Sequence, residues 1–211
     1  YAVVVTGCPR ASRAMASIPP ALDPQGSVSL ERVRLALAMR RPDAALAALA
    51  KAPALLRDDE NNGQFPVSLL RAQALALKGE SAQARAAFLE AKQSQVPLLD
   101  DPRQHVNALG NLAEVYAGLG QKDDALATAR QASGLMPPAK DALDGNYYFA
   151  RLAKIEAQVG DADSALSHLR ELLAAPAGYE VSVASLRLDP VWDPLRKDPR
   201  FQQLIADGAA T

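Results

Sequence analysis

The residues with the chemistry to react are few and scattered. His105 and His168 are remote from each other and from the lone Cys8, so a metal site would have to recruit distant carboxylates, and surface or helix-end roles are expected for both. Carboxylates cluster as Asp58-Asp59-Glu60, Asp100-Asp101 and Asp123-Asp124. An acid–base pair needs an enclosed, low-dielectric setting, whereas these runs read as loops or helix starts where carboxylates cap N–H groups and oppose the helix dipole. Val5-Thr6-Gly7-Cys8 follows an apolar triplet but lacks the second glycine and the lysine of a phosphate cradle. Cys8 reads as an ordinary thiol that forms no internal disulfide, which fits a reducing compartment. No catalytic, cofactor or metal site is expected, and the chain is read as a non-enzyme.

What remains is an architecture that could present binding groups. The segments beginning at Arg40, Gly79, Gly120 and Gly160 share one layout, a turn residue followed five places later by alanine. Those alanines, Ala45, Ala84, Ala125 and Ala165, are separated by 39, 41 and 40 residues. Apolar residues follow each anchor at four and seven places, as in Leu49 and Ala52 or Leu169 and Leu172, which marks one face of a helix. Upstream of the turns lie further helical patterns: Leu109, Leu112, Ala113 and Tyr116, then Phe149, Leu152 and Ala153. Leu30, Val33 and Leu37 repeat the pattern in the first unit, with a register ambiguous by one residue against its turn. A fixed period of this size, read before any local feature, means stacked helical hairpins.

Breakers separate the hairpins: Pro53 with Asn61-Asn62-Gly63, Pro97 to Pro102, Pro137-Pro138, and Pro176 to Gly178. No alternating run flanked by turn dipeptides argues for a sheet, and the chain is expected to be sheet-free. Gly7 to Ala16 followed by Pro19-Pro20 reads as the end of an earlier hairpin, so the natural protein is expected to extend before Tyr1. At the other end Asp189-Pro190, Asp193-Pro194 and Asp198-Pro199 predict three helix starts, because Asp accepts from orphan N–H groups and Pro has none to waste. With Trp192, Leu195, Phe201, Leu204 and Ile205 this segment is expected to cover the last hairpin.

Bulk composition agrees with this frame. The 211 residues are 49% apolar but 5% aromatic, which favours closely packed aliphatic helices. Twenty-three Lys+Arg against 24 Asp+Glu leave a net charge of −1 without runs of one sign, so neither nucleic acid nor an anionic bilayer is an expected partner. Uncharged stretches such as Asn61 to Leu70 fall well short of the roughly 18–20 residues a membrane span requires, and no membrane insertion is expected.

Leu112, Ala113, Tyr116, Gly120, Ala125, Ala132 and Pro137 resemble the tetratricopeptide repeat. The fourth unit keeps Leu152, Ala153, Gly160 and Ala165 but carries Glu156 in place of the aromatic, and the period exceeds the usual 34 residues. Leu186 to Phe201 is similar to the closing segment after such repeats in bacterial multidomain signalling proteins of the kinase, cyclase or winged-helix regulator type. The resemblance implies an all-α, right-handed α-α superhelix: a truncated hairpin over 1–20, four hairpins over 28–178, and a helical cap over 181–207. It also implies a concave groove lined by the first helices, whose faces carry Arg34, Gln73, Asn107, Asn111, Glu114, Tyr147, Arg151 and Lys154. Such polar groups suit an extended peptide. Asn111 and Arg151 match the clamp with which chaperone-binding members hold a terminal carboxylate, but Gln73 replaces an Asn and Leu69 and Tyr147 replace its two lysines, so that activity is not carried over.

The expected function is therefore a protein-binding regulatory module of a larger bacterial protein, cytoplasmic, or periplasmic if the parent is membrane-anchored. Structural self-association that sets the parent's oligomeric state is the alternative. Self-association of the module itself is expected to be weak or absent, because the C-terminal segment caps one end.

Overall fold

The computed structural model describes residues 18–19, 22–59, 63–175 and 181–208. These residues are mostly helical. Helix–turn–helix pairs follow one another: α1 (Ser27–Ala38) with α2 (Pro42–Leu49), α3 (Val67–Lys78) with α4 (Ser81–Gln95), α5 (His105–Gly118) with α6 (Lys122–Leu135), and α7 (Asp144–Val159) with α8 (Ala162–Ala174). The helices of a pair pack together, each second helix packs on the next pair's first helix, and the first helices touch in the order α1, α3, α5, α7. Among the described residues no helix is long and apolar enough to cross a membrane.

The four intra-pair turns are built identically. At each, the last residue of the turn donates its N–H to a carbonyl five residues back: Arg41 to Ala36, Glu80 to Leu75, Gln121 to Tyr116 and Asp161 to Glu156, at 2.8–2.9 Å. The residue before it has positive φ, the left-handed stop that satisfies orphan carbonyls at a helix end. Glycine fills that place at Gly79, Gly120 and Gly160, whereas Arg40 adopts φ 54° in the first turn. This resolves the ambiguous register of the first unit: Arg40 stands where the later turns have glycine. The anchor alanines then make the first backbone bond of each second helix and are 0–4% exposed. A methyl group there lets two helix backbones approach closely.

The expectation of a sheet-free chain is overturned. Strands β1 (Leu55–Asp58) and β2 (Gly63–Pro66) form an antiparallel hairpin between α2 and α3, with Leu56 opposite Phe65 and Arg57 opposite Gln64. Asn-Gly before a strand is a hairpin-turn signal as well as a helix breaker, and Gly63 of this pair is the first residue of β2. The Val67 N–H donates to Ala54 O at 3.0 Å at the base, and the Arg57 N–H donates to Gln25 O at 3.0 Å, tying the hairpin to the segment before α1.

Beyond α8 lie α9 (Val183–Leu188), a 3-10 segment (Pro190–Leu195) and α10 (Pro199–Asp207). Two of the three expected Asp-Pro starts operate: Asp189 accepts from the Val191 N–H and Asp198 from that of Arg200, at 3.0 and 2.8 Å. Asp193-Pro194 lies inside the 3-10 segment instead, and Asp193 spends its carboxylate on Arg40 and Arg196. Trp192, Leu195, Phe201 and Ile205 are buried against Ala150, Ala153, Leu166 and Leu169, as a cap requires. The expected partial hairpin over 1–20 lies outside the described residues except for 18 and 19, as does the Gly178 loop.

Candidate binding groove

The first helices present a polar wall, and the β-hairpin lies against it. From α5, Asn111 donates its amide to the backbone carbonyl of Gln64 at 2.8 Å and to Gln95 Oε1 at 2.9 Å. One turn earlier Asn107, in the amide orientation that satisfies both its ends, donates to the same carbonyl at 2.8 Å and accepts the Gln64 N–H at 3.3 Å. Two asparagines at i and i+4 share a helix face, so this spacing lets one helix read a single extended residue through its backbone.

Arginines from the two ends of the array converge on β2. The Arg34 and Arg151 guanidinium carbons lie 5.1 and 5.2 Å from the centroid of the Phe65 ring, within cation–π range. Arg34 also binds Asp58 at the end of β1, Nη2 to Oδ2 2.7 Å, and Glu31 at 2.9 Å. Burial opposes the charge on Arg34, but these carboxylates outweigh it and hold its pKa above the ordinary arginine value. Asp58 is 3% exposed, so the expectation that its acidic run caps helices in a loop is corrected for this residue: it is a buried ion-pair partner.

Arg151 is the hub. It donates to Glu114 Oε1 (Nε, 2.9 Å), Asn111 Oδ1 (Nη2, 2.9 Å) and Tyr147 Oη (Nη1, 3.3 Å). Gln73 from α3 completes Glu114 at 2.8 Å. Burial again disfavours the charge, but Glu114 together with Tyr147 and Tyr148 outweighs it, so the Arg151 pKa also lies above its usual value. Burial pushes the Tyr147 hydroxyl up against the opposing pull of Arg151, which keeps it neutral. Gly110 makes this geometry possible: a Cβ there would stand 2.6 Å from Arg151 Nη1 and 2.8 Å from Cζ, so only glycine lets the guanidinium lie on the α5 backbone.

Of the eight residues expected on the inner face, seven are therefore joined through shared partners, and Lys154 lies half-buried about a turn further along α7. These faces are not open to water: Asn107, Asn111, Tyr147 and Arg151 are at most 8% exposed. The hairpin covers Asn107 and Asn111 through Gln64 and sets Phe65 against Arg151, and sequence reasoning missed it together with Asp58, Gln64 and Phe65. The signal lay in the Leu-x-Arg and Gln-Phe-Pro runs around Asn61-Asn62-Gly63. The histidines stand apart from this wall. His168 Nδ1 is 2.7 Å from the buried Glu156 carboxylate, and His105 Nδ1 is 2.7 Å from the Leu99 carbonyl. No family model, no curated protein and no solved structure matches this chain.

Proposed function

We propose that the chain is a tetratricopeptide-like, right-handed helical solenoid that serves as a non-catalytic protein-interaction module of a larger bacterial signalling or regulatory protein, with the inner wall of its first helices as the binding surface. The observation that carries this reading is the contact at Gln64: Asn107 and Asn111 bond a peptide backbone in extended conformation, which is the job such a wall would do for a partner segment. The four identical turns support the repeat assignment, and the apolar cap over the last hairpin suits a module whose end is sealed rather than stacked. The reading favours the cytoplasm, with a periplasmic position if the parent protein is membrane-anchored.

The test is affinity measured with a purified partner. Gln73→Ala with Lys154→Ala alters half-buried wall groups outside the Arg151–Asn111 contact and should weaken binding about tenfold, or ~1.4 kcal/mol. Arg130→Ala with Arg170→Ala, on exposed faces of the second helices, should leave it unchanged. The reverse pattern would place the interface on the outer face and remove the groove reading.

A further inference from the structure

Leu56 and Phe65 join the apolar core, and around them the hairpin and the wall meet through the materials of a protein–peptide interface. One aromatic anchor, Phe65, is held by two arginines; one carboxylate, Asp58, is held by Arg34; and one backbone unit, Gln64, is held by two asparagine amides. A buried anchor surrounded by hydrogen bonds and charge pairs is the pattern of interface hot spots. The wall groups beneath it are Arg34, Gln73, Asn107, Asn111, Glu114 and Arg151, all of which water can satisfy. The helix–helix contacts use other residues, such as Val33, Ala45, Ala72, Ala84, Val115, Ala125 and Ile155, which water cannot satisfy.

We infer that the paired strands β1 and β2 are an internal ligand of the groove, and that the external partner is a protein segment that copies them. Such a segment is extended or hairpin-shaped, with an aromatic side chain for the Arg34–Arg151 pair and a carboxylate placed to take over Arg34 from Asp58. This rests on the groove reading and adds the partner's chemistry and its regulation. A ligand of this kind meets a groove already filled by a tethered competitor, so its apparent affinity is reduced by the fraction of chains in which the hairpin is docked. A basic or purely aliphatic segment would offer neither a ring to the Arg34–Arg151 pair nor a carboxylate to Arg34 and should not compete.

The probe is a fluorescently labelled synthetic peptide of residues 54–67, offered to the full chain and to the Asp58→Asn/Phe65→Ala chain, whose own hairpin lacks both anchors. The variant chain should bind the peptide at least about tenfold more tightly than the unaltered chain, and a peptide carrying the same two substitutions should not bind. Hydrogen exchange of the unaltered chain supplies a readout that needs no variant. Amides at 55–58 and 63–66 should open at lower denaturant than those of α3, α5 and α7. Equal peptide affinity for the two chains, or strand amides that exchange only with global unfolding, would overturn the internal-ligand inference. The groove reading fails separately, if bound peptide is released by Arg130→Ala/Arg170→Ala and not by Gln73→Ala/Lys154→Ala.

Discussion

The C-terminal end packs Trp192, Leu195, Phe201 and Ile205 onto Ala150, Ala153, Leu166 and Leu169, whereas the polar wall of the first helices packs β2 onto Arg34, Asn107, Asn111 and Arg151. Both interfaces cover a face of the same repeating helices, yet they differ in what happens when they part. Separating the cap exposes apolar area at about 25 cal/mol per Å², with nothing returned by water. Separating the hairpin exchanges hydrogen bonds and ion pairs for hydrated ones, each worth only about 1 kcal/mol net, and strands mainly Leu56 and Phe65. One interface is suited to staying shut and the other to exchange.

Removing one buried ring from each interface should separate them most. Phe201→Ala should cost about 3–5 kcal/mol of global stability in urea unfolding, as large-to-small changes at fully buried aromatics do. Phe65→Ala should cost only about 1–2 kcal/mol, because the loss stops once the hairpin has detached and the helices remain folded. Equal losses would mean that the hairpin is as integral to the core as the cap.

Two glycines sharpen the contrast at smaller scale. A Cβ on Gly118 would stand 2.2 Å from the Phe88 ring, and Phe88 is a core residue with nowhere to move, so Gly118→Ala should cost about 1–3 kcal/mol. A Cβ on Gly110 instead meets the Arg151 guanidinium, which can swing to water if the hairpin lifts. Gly110→Ala should therefore cost less than about 1 kcal/mol globally while speeding exchange of the β2 amides. Thermal melts of both variants, combined with exchange at 63–66, check the pair.

Arg40 links the first turn to the cap, since both its terminal nitrogens bind Asp193, at 2.6 and 2.7 Å. The pair is nearly half exposed, so Asp193→Asn should cost under about 1 kcal/mol. The hydrogen bond from Arg40 holds the Asp193 carboxyl below its usual range, so the cost should be present at neutral pH and vanish as the pH falls below that range. Arg40→Gly loses the same link but relieves a left-handed backbone that costs a non-glycine residue about 1 kcal/mol. It should leave the unfolding midpoint unchanged or raise it slightly, and a clear fall would show that the link outweighs the strain.

What the sequence made legible follows from the range of the interactions involved. The turns at Gly79, Gly120 and Gly160, the anchor alanines and the apolar cap are local or periodic features, and each stands where its pattern predicts. The helix face of Arg34, Asn111 and Arg151 was legible for the same reason. The burial of Asn111 and Arg151 was not, because both meet a hairpin whose strands are four residues each and whose Asn61-Asn62-Gly63 run was read as a helix breaker. Asp58 shows the limit most clearly: a carboxylate in an acidic run looks solvated until a residue 24 positions earlier, Arg34, is brought to it.

The apolar half contains a polar pair of its own, and it supplies the smallest test. Glu156, at the position where the repeat resemblance calls for an aromatic, is 1% exposed and lies 2.7 Å from His168, whose ring in turn packs on Phe149 at 4.7 Å. Burial raises the Glu156 pKa, while His168 from α8 and Arg130 from α6 pull it back and Asp161 at the turn adds to the rise. A carboxyl whose folded pKa lies above its unfolded one is most stabilising when protonated. Its contribution is complete below the ordinary carboxylate value near 4.5 and is lost as the pH rises through the raised one. Glu156→Gln keeps the shape and cannot ionise. The urea midpoint of Glu156→Gln relative to the unaltered chain should therefore climb between pH 4 and pH 7. A difference that stays flat over that interval would mean that the carboxylate titrates as it does in the unfolded chain.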